Sequence, residues 1–282
     1  MVVRFHFSDP IFLTFPMPIT GPPQLQPVTQ DEFARLDYQV MRLAFESQNQ
    51  LGRLCEEAVY QEDLLARLRV AGIPADKEVS VQVGYRDFSK TYLLDLVVGQ
   101  VGIYELKAAA ALVGAHEAQL LQYLFLCGAH RGKLINFRSA QVESRFINVR
   151  STPAERRQFT VESDAWRERD STDRDFRECL LGLLDDWGGW LDVDLYTEAL
   201  VHCMKGEGLG AQRLPMTREG VFLGTQSFHL LSPETAFRIS ALHESTANLE
   251  HSLRSLLSLS PLRVLHWINL GRSKIQLISL TK

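Results

Sequence analysis

The chain is poor in several features that would otherwise classify it early. Its four cysteines, Cys55, Cys127, Cys179 and Cys203, are scattered, with no CxxC and no Cys/His ligand spacing. That argues against structural zinc and leaves buried free thiols in a reducing compartment. No run of about 18 apolar residues exists, so no membrane span is expected. The start has no lysine-rich segment and is broken by Pro10, Pro16 and Pro18, which makes a poor signal peptide. A cytoplasmic protein is the expectation. A basic excess is lacking too: 30 Lys and Arg stand against 34 Asp and Glu, for a net charge of −4. Contact with nucleic acid would therefore have to come from a local patch. What is present is an ordinary apolar fraction, 45%, enough for a packed core and against disorder.

Residues 1–29 are proline-rich, end in Gly21-Pro22-Pro23, and read as an extended arm. Phe33, Leu36, Val40, Leu43 and Ala44 predict a helix over 30–50. Val59, Leu64, Leu65 and Leu68 predict a second over 54–70, stopped by Gly72-Ile73-Pro74. Strands follow over 78–85, 91–98 and 101–108, the last two covered on both faces. A helix over 115–127 and strands near 133–137 and 145–149 complete an α/β sandwich with a mixed sheet over 30–150.

Residues 151–176 crowd Arg, Glu and Asp together and read as a linker or solvated helix. Over 177–282 the earlier order recurs. Glu117, Leu120, Leu124, Leu126, Ile135 and Asn136 match Glu250, Leu253, Leu257, Leu259, Ile268 and Asn269 without a gap. Val59-Tyr60 with Leu64 matches Leu195-Tyr196 with Leu200 at a slightly different offset, and 220–231 and 235–242 stand for the central strands. The expectation is a second, degenerate copy.

One segment carries chemistry. Between Leu93 and Lys107 one Asp and one Glu-x-Lys fall on adjacent apolar strands. Glu105 and Lys107 share a strand face while Leu106 takes the other. Burying such charges costs several kcal/mol unless they are paired or bind metal. A structural Glu–Lys pair is the plain alternative. Register decides between them: a two-residue Gly99-Gln100 turn would set Asp95 opposite Tyr104 and leave Glu105 on the wrong face. A shared cation therefore requires an odd-numbered loop or a bulge. Glu57 with Tyr60, and Gln119 with Tyr123, each lie one helical turn apart and converge on the same region. His116 reads as a helix-start residue, and His202 lacks partners at ligand spacing.

The run Leu51-Gly52-Arg53-Leu54-Cys55-Glu56-Glu57-Ala58-Val59-Tyr60 resembles the signature region of the GxxExxY proteins, a group of the PD-(D/E)XK nuclease-like superfamily. The resemblance continues through Leu94–Val98, Tyr104–Ala108, His116–Leu121 with Tyr123, and Leu134–Phe137. It departs at one point, since the first glycine of the literal pattern falls at Leu54. Residues 178–282 resemble the extra C-terminal half of longer members. The resemblance implies Mg²⁺-dependent phosphodiester hydrolysis of DNA or RNA, with Mn²⁺ as a substitute ion. Asp95 and Glu105 would be the metal ligands, joined by Glu57. Lys107 would orient the nucleophile and stabilise charge, and Gln119, Tyr123 and Tyr60 would support the site or bind substrate. The other readings are a catalytically inactive nuclease-fold protein that binds nucleic acid or acts as a scaffold subunit, and a subunit active only with a partner.

In the second half Ile239-Ser240-Ala241-Leu242-His243 stands for Tyr-Glu-Leu-Lys-Ala, no carboxylate near Leu230–Leu231 answers Asp95, and Val193 stands near the place of Glu57. That half would be a non-catalytic partner, giving a monomer with an internal pseudo-dimer, or a homodimer. Arg213, Arg218, Arg263, Arg272 and Lys274 are its candidate nucleic-acid cations.

Overall fold

The computed structural model of the chain describes residues 19–149, 151, 154–204, 210–242 and 246–282. Most of the expected arm, with Pro10, Pro16 and Pro18, lies outside the described residues, as does His243. Two compact units emerge: Pro18–Gly84 with Ser89–Thr152, and Pro153–Lys282, with which the short segment Tyr85–Phe88 is counted.

In the first unit, helix α1 (Gln30–Leu51) begins in a capping box, where Thr29 and Glu32 satisfy each other's backbone amides. It ends at Gly52, whose φ of 75° an L side chain would resist. Helix α2 (Glu57–Val70) follows. Edge strand β1 (Ile19–Thr20) pairs with β2 (Ala75–Tyr85), so the described end of the arm is paired to the sheet. Strands β3 (Phe88–Val98) and β4 (Gly102–Lys107), helix α3 (Gly114–Cys127), and strands β5 (Arg131–Asn136) and β6 (Glu143–Asn148) complete a six-stranded sheet in sequence order. Strands β4 and β5 pair in parallel, as the α3 crossover requires. Phe33, Val40, Leu64, Leu96 and Phe137 share one core.

The second unit holds β7 (Thr160–Glu162), α4 (Ser171–Trp187), α5 (Val193–Cys203), β8 (Gly210–Arg218), β9 (Val221–Ser232), β10 (Thr235–Ser240), α6 (Thr246–Leu259), β11 (Val264–Leu270) and β12 (Lys274–Thr281). Its sheet runs β7-β12-β11-β10-β9-β8, again with six strands. The expected solvated stretch over 151–176 is corrected here: β7 pairs with β12, α4 starts at Ser171 behind an Asp170 cap, and Trp166, Asp173 and Phe176 are buried. Among its charged residues, Arg157 donates to the Asp186 carbonyl on α4 and Asp173 accepts the Arg169 amide, while Arg167, Asp170 and Arg174 stay exposed.

The central pairings of the two sheets correspond, although Thr235 pairs with Ser232 across a register shift where Gly102 pairs with Val98, and the edge strands β1 and β7 add at opposite ends. Ile103↔Gly132 has its counterpart in Ala236↔Leu265, and Lys107↔Asn136 in Ser240↔Asn269. Arg131↔Asn148 reappears as Val264↔Thr281, and Leu96↔Tyr104 as His229↔Phe237. One constant offset generates all four. Side-chain bonds follow it: the amide of Asn136 bonds both backbone groups of Ala109, and that of Asn269 both groups of Leu242. At a slightly larger offset the Tyr60 hydroxyl donates to the Gly52 carbonyl and that of Tyr196 to Gly188, each glycine ending a helix. This regularity moves one alignment. The counterparts of Tyr104–Ala108 are Phe237–Ala241, two residues before the 239–243 segment expected from sequence. A slip of two preserves strand parity, so apolar alternation alone does not reveal it.

Each unit also buries a carboxylate in a cross-layer pair. Lys133 on β5 bonds Asp37 on α1 at 2.5 Å, and its ammonium lies 4.0 Å over the Phe146 ring. At the equivalent positions His266 on β11 lies 3.0 Å from Asp173 on α4, its other nitrogen 3.0 Å from Ser279 Oγ.

Candidate acidic site at the split between β3 and β4

The β3–β4 connection has three residues, Gly99, Gln100 and Val101, with pairs Val98↔Gly102, Val97↔Ile103 and Leu96↔Tyr104. Gly99 and Gln100 take positive φ, 63° and 54°, as the tight turn demands. The odd count continues the register to Asp95 opposite Glu105, on one face. Main-chain pairing is recorded no further than Leu96↔Tyr104, and side chains take over there. Asp95 Oδ2 accepts the Leu106 amide at 2.8 Å, and Gln61 Nε2 donates to the Asp95 carbonyl at 2.9 Å.

Lys107 stands among three carboxylates. Its Nζ is 2.6 Å from Glu105 Oε1, 3.7 Å from Glu57 Oε1 and 3.8 Å from Asp95 Oδ2. Access is graded: the Glu105 side chain is 0% exposed, that of Lys107 12%, Asp95 20% and Glu57 41%. The Glu–Lys pair of the plain alternative is thus present, with Asp95 and Glu57 toward solvent. Glu105 Oε2 is buried and accepts no bond from a donor among the described residues.

Burial pushes the Glu105 carboxyl up to about 8, aided by the Asp95 charge and opposed by Lys107. Burial also raises Asp95, against the Leu106 amide and Lys107. For Lys107 burial works against the charge, but Glu105, Asp95 and Glu57 outweigh it and hold the ammonium above its ordinary value. Perturbed groups of this kind gather at functional sites.

Gln119 Nε2 donates to the Tyr123 hydroxyl at 2.9 Å. Burial raises that hydroxyl, and the charges of Glu105 and Asp95 reach it, so this helix pair borders the acids. Tyr60 serves the fold instead. It is fully buried, stacks on Phe137 with ring centroids 4.5 Å apart and bonds Gly52. It ties α2 to the end of α1. Leu54, where the literal motif has glycine, is 88% exposed and lies outside this contact. His116 Nδ1 accepts the Val113 amide at the start of α3, the helix-start role expected of it. The sequence reading missed Gln61, although it lies one turn beyond Glu57 on the same helix.

The divalent ion can be tested against these donors. Two carboxylates on one face, one with an unsatisfied buried oxygen, fit a hard cation with oxygen ligands. Among the described residues no group of three His, Cys, Asp or Glu side chains is arranged to hold a metal. Lys107 supplies the positive charge between the acids in this arrangement.

In the second unit Phe228 stands at the place of Asp95, Arg238 at that of Glu105, Ser240 at that of Lys107 and Val193 at that of Glu57. Its candidate cations are largely engaged: Arg213 with Thr225, Arg263 with Glu234, Lys274 with Glu162, and Arg272 over the Trp190 ring. No helix among the described residues is long and apolar enough to cross a membrane.

Residues 34–149 match the family model of the PD-(D/E)XK nuclease superfamily. No curated protein matches the chain. The crystal structure of SSO0001 is similar at 18% identity, over 45% of this chain and 81% of that one, with a TM-score of 0.27, too slight a likeness to inform the fold. The first unit, with its mixed sheet, its flanking helices and this match, is a domain of the PD-(D/E)XK nuclease type.

Proposed function

We propose that the chain is a Mg²⁺-dependent nuclease of the GxxExxY group, acting in the cytoplasm on DNA or RNA, with its second unit a degenerate copy that has lost the acids. One observation carries the reading. The first unit keeps Glu105 fully buried beside Asp95, its carboxyl raised by burial and by the Asp95 charge, an arrangement that works against folding. The second unit builds the same sheet without either acid.

Asp95 and Glu105 would hold the ion, with Glu57 reaching it through water. Bound there, a divalent cation supplies an acidified water and charge neutralisation at the scissile phosphate. The protein's own groups do the rest. The Leu106 amide and Gln61 fix Asp95 where β3 leaves β4. Lys107 orients the attacking water and stabilises negative charge on the phosphoryl oxygens. Tyr123, held by Gln119, lines the approach to the acids. The partner is nucleic acid, through local contacts, since the chain as a whole is acidic.

A second reading, an inactive nuclease-fold protein that binds nucleic acid or serves as a scaffold, is favoured by one contact: the 2.6 Å Lys107–Glu105 pair already gives the buried carboxyl a partner. The two part in a cleavage assay of wild type and Glu105→Ala with Mg²⁺ or Mn²⁺, on single- and double-stranded DNA and RNA, alongside calorimetric titration of the ion. The nuclease reading expects ion binding and cleavage by wild type, and at least a hundredfold loss in the variant, roughly the size of a lost electrostatic stabiliser. Equal rates in the two would reject the site. Absence of cleavage on every substrate would favour the scaffold.

A further inference from the structure

The second unit contains the tip Tyr85–Phe88 of the β2–β3 hairpin in a closed contact. Tyr85 and Phe88 are buried against Trp187 at the end of α4, with ring centroids 6.0 and 6.2 Å apart. The tip's Asp87 carboxylate lies 3.3 Å from His202 Nε2 on α5. A Cβ on Gly182 would fall 2.2 Å from the Tyr85 hydroxyl, so α4 is shaped to admit it. A hairpin tip seated on a helix pair is therefore a contact this chain already makes.

The constant offset that relates the sheets carries Tyr85–Phe88 to Arg218, Glu219, Gly220 and Val221, the tip of the β8–β9 hairpin. That tip is bare. Val221, Phe222 and Leu223 are 62%, 64% and 50% exposed, three consecutive apolar residues on a protruding ribbon. Arg218 and Glu219 have no partner among the described residues. The larger offset carries α4 and α5 back to α1 and α2, with Leu51 for Trp187 and Glu46 for Gly182. Exposed apolar residues lie along this helix pair and its connection, Val70 at 91%, Leu54 at 88% and Phe45 at 39%, next to the half-buried Leu51. Glu46, beside Arg42 and Arg67, gives the face charges of both signs to meet Arg218 and Glu219.

We propose that the β8–β9 tip of one chain docks on the α1–α2 face of a second copy, reproducing between chains the contact that Tyr85–Phe88 makes with α4 and α5. Val221 and Phe222 would meet Leu51 and Val70, and Arg218 would approach Glu46. Each chain carries one free tip and one free face, so two reciprocal contacts close a dimer. Isolated apolar residues on a surface need no explanation, but a matched donor and acceptor whose counterparts are already joined do. The inference rests on the repeated pairing and stands or falls independently of cleavage.

Sedimentation velocity of the full chain over a range of concentrations tests it, with circular dichroism to confirm folding of each variant. Wild type is expected to dimerise with concentration. Phe222→Asp on the tip and Val70→Asp on the face should each weaken dimerisation about tenfold or more, because either removes both reciprocal contacts. Mixing the two variants should restore association in part, since one intact tip then meets one intact face while the second contact stays broken. A wild type that stays monomeric, or a dimer insensitive to both substitutions, overturns the proposal. So does association that appears only when an oligonucleotide is added.

Discussion

Where β4 carries Glu105 and Lys107, β10 carries Arg238 and Ser240, and where β3 carries Asp95, β9 carries Phe228. Beside these positions the pairings of β10 with β11 and of β11 with β12 match those of β4 with β5 and of β5 with β6. The acids are thus unnecessary for building the sheet. In the first unit they are held against a desolvation cost, and in the second that cost is absent. The same contrast appears one layer away, where the buried Asp37–Lys133 pair of the first unit is replaced by Asp173–His266 in the second.

The comparison breaks most sharply at Glu105. Its carboxyl titrates higher in the folded protein than in the unfolded chain, rising from 4.5 to about 8. Its favourable contribution is therefore whole below pH about 4.5 and is lost as pH rises through about 8. Glu105→Gln stays neutral throughout. In metal-free buffer it should match wild type in acid and exceed it progressively toward pH 8, by about 1.4 kcal/mol for each unit of that shift. Urea denaturation at a series of pH values measures this. A variant less stable than wild type at pH 8 would mean that the acid serves the fold, and the contrast between the units would lose its force.

Next in size is Lys133→Met, which leaves Asp37 buried without a counter-ion. A loss of about 3–5 kcal/mol in the same denaturation is expected. A neutral outcome would show that water reaches Asp37.

The smallest effect is in acid. Burial raises Asp37 above its ordinary value, whereas for Asp173 burial is outweighed by His266 and the Arg169 amide, which hold it below. A depressed carboxylate contributes stability above its unfolded pKa of about 3.8 and loses it as pH falls through the folded value. Asp37 has the opposite sign, its contribution fading as pH rises. All four tryptophans, Trp166, Trp187, Trp190 and Trp267, lie in the second unit, so their fluorescence reports on that unit alone. Its unfolding midpoint should drop below pH 4 in wild type and respond less in Asp173→Asn.

Local patterns made much of this legible in the sequence. The apolar spacing of Phe33, Val40 and Leu43 placed α1, and strand parity put Glu105 and Lys107 on one face. The requirement for an odd loop followed from Asp95 and Glu105 alone, and the loop has three residues. The run from Glu250 to Asn269 pointed to the pairings that β11 shares with β5. Pairs joined across layers were not legible: Asp37 and Lys133 are far apart in sequence, and neither has a local signature. Residues 151–176 misled because Trp166 and Phe176 are too few to show a period among so many charges. On β10 no acid stands as a landmark, and the alignment slipped by two.

The three-residue connection at Gly99–Val101 sets something like a reading frame for the sheet. Removing one residue from it would leave every catalytic candidate in the chain and every strand apolar enough to pair. Yet side chains of β4 would exchange sides relative to β3, burying Leu106 where Glu105 had been. An inert spacer thereby governs which atoms can meet, and its length is as much a part of the site as the acids themselves.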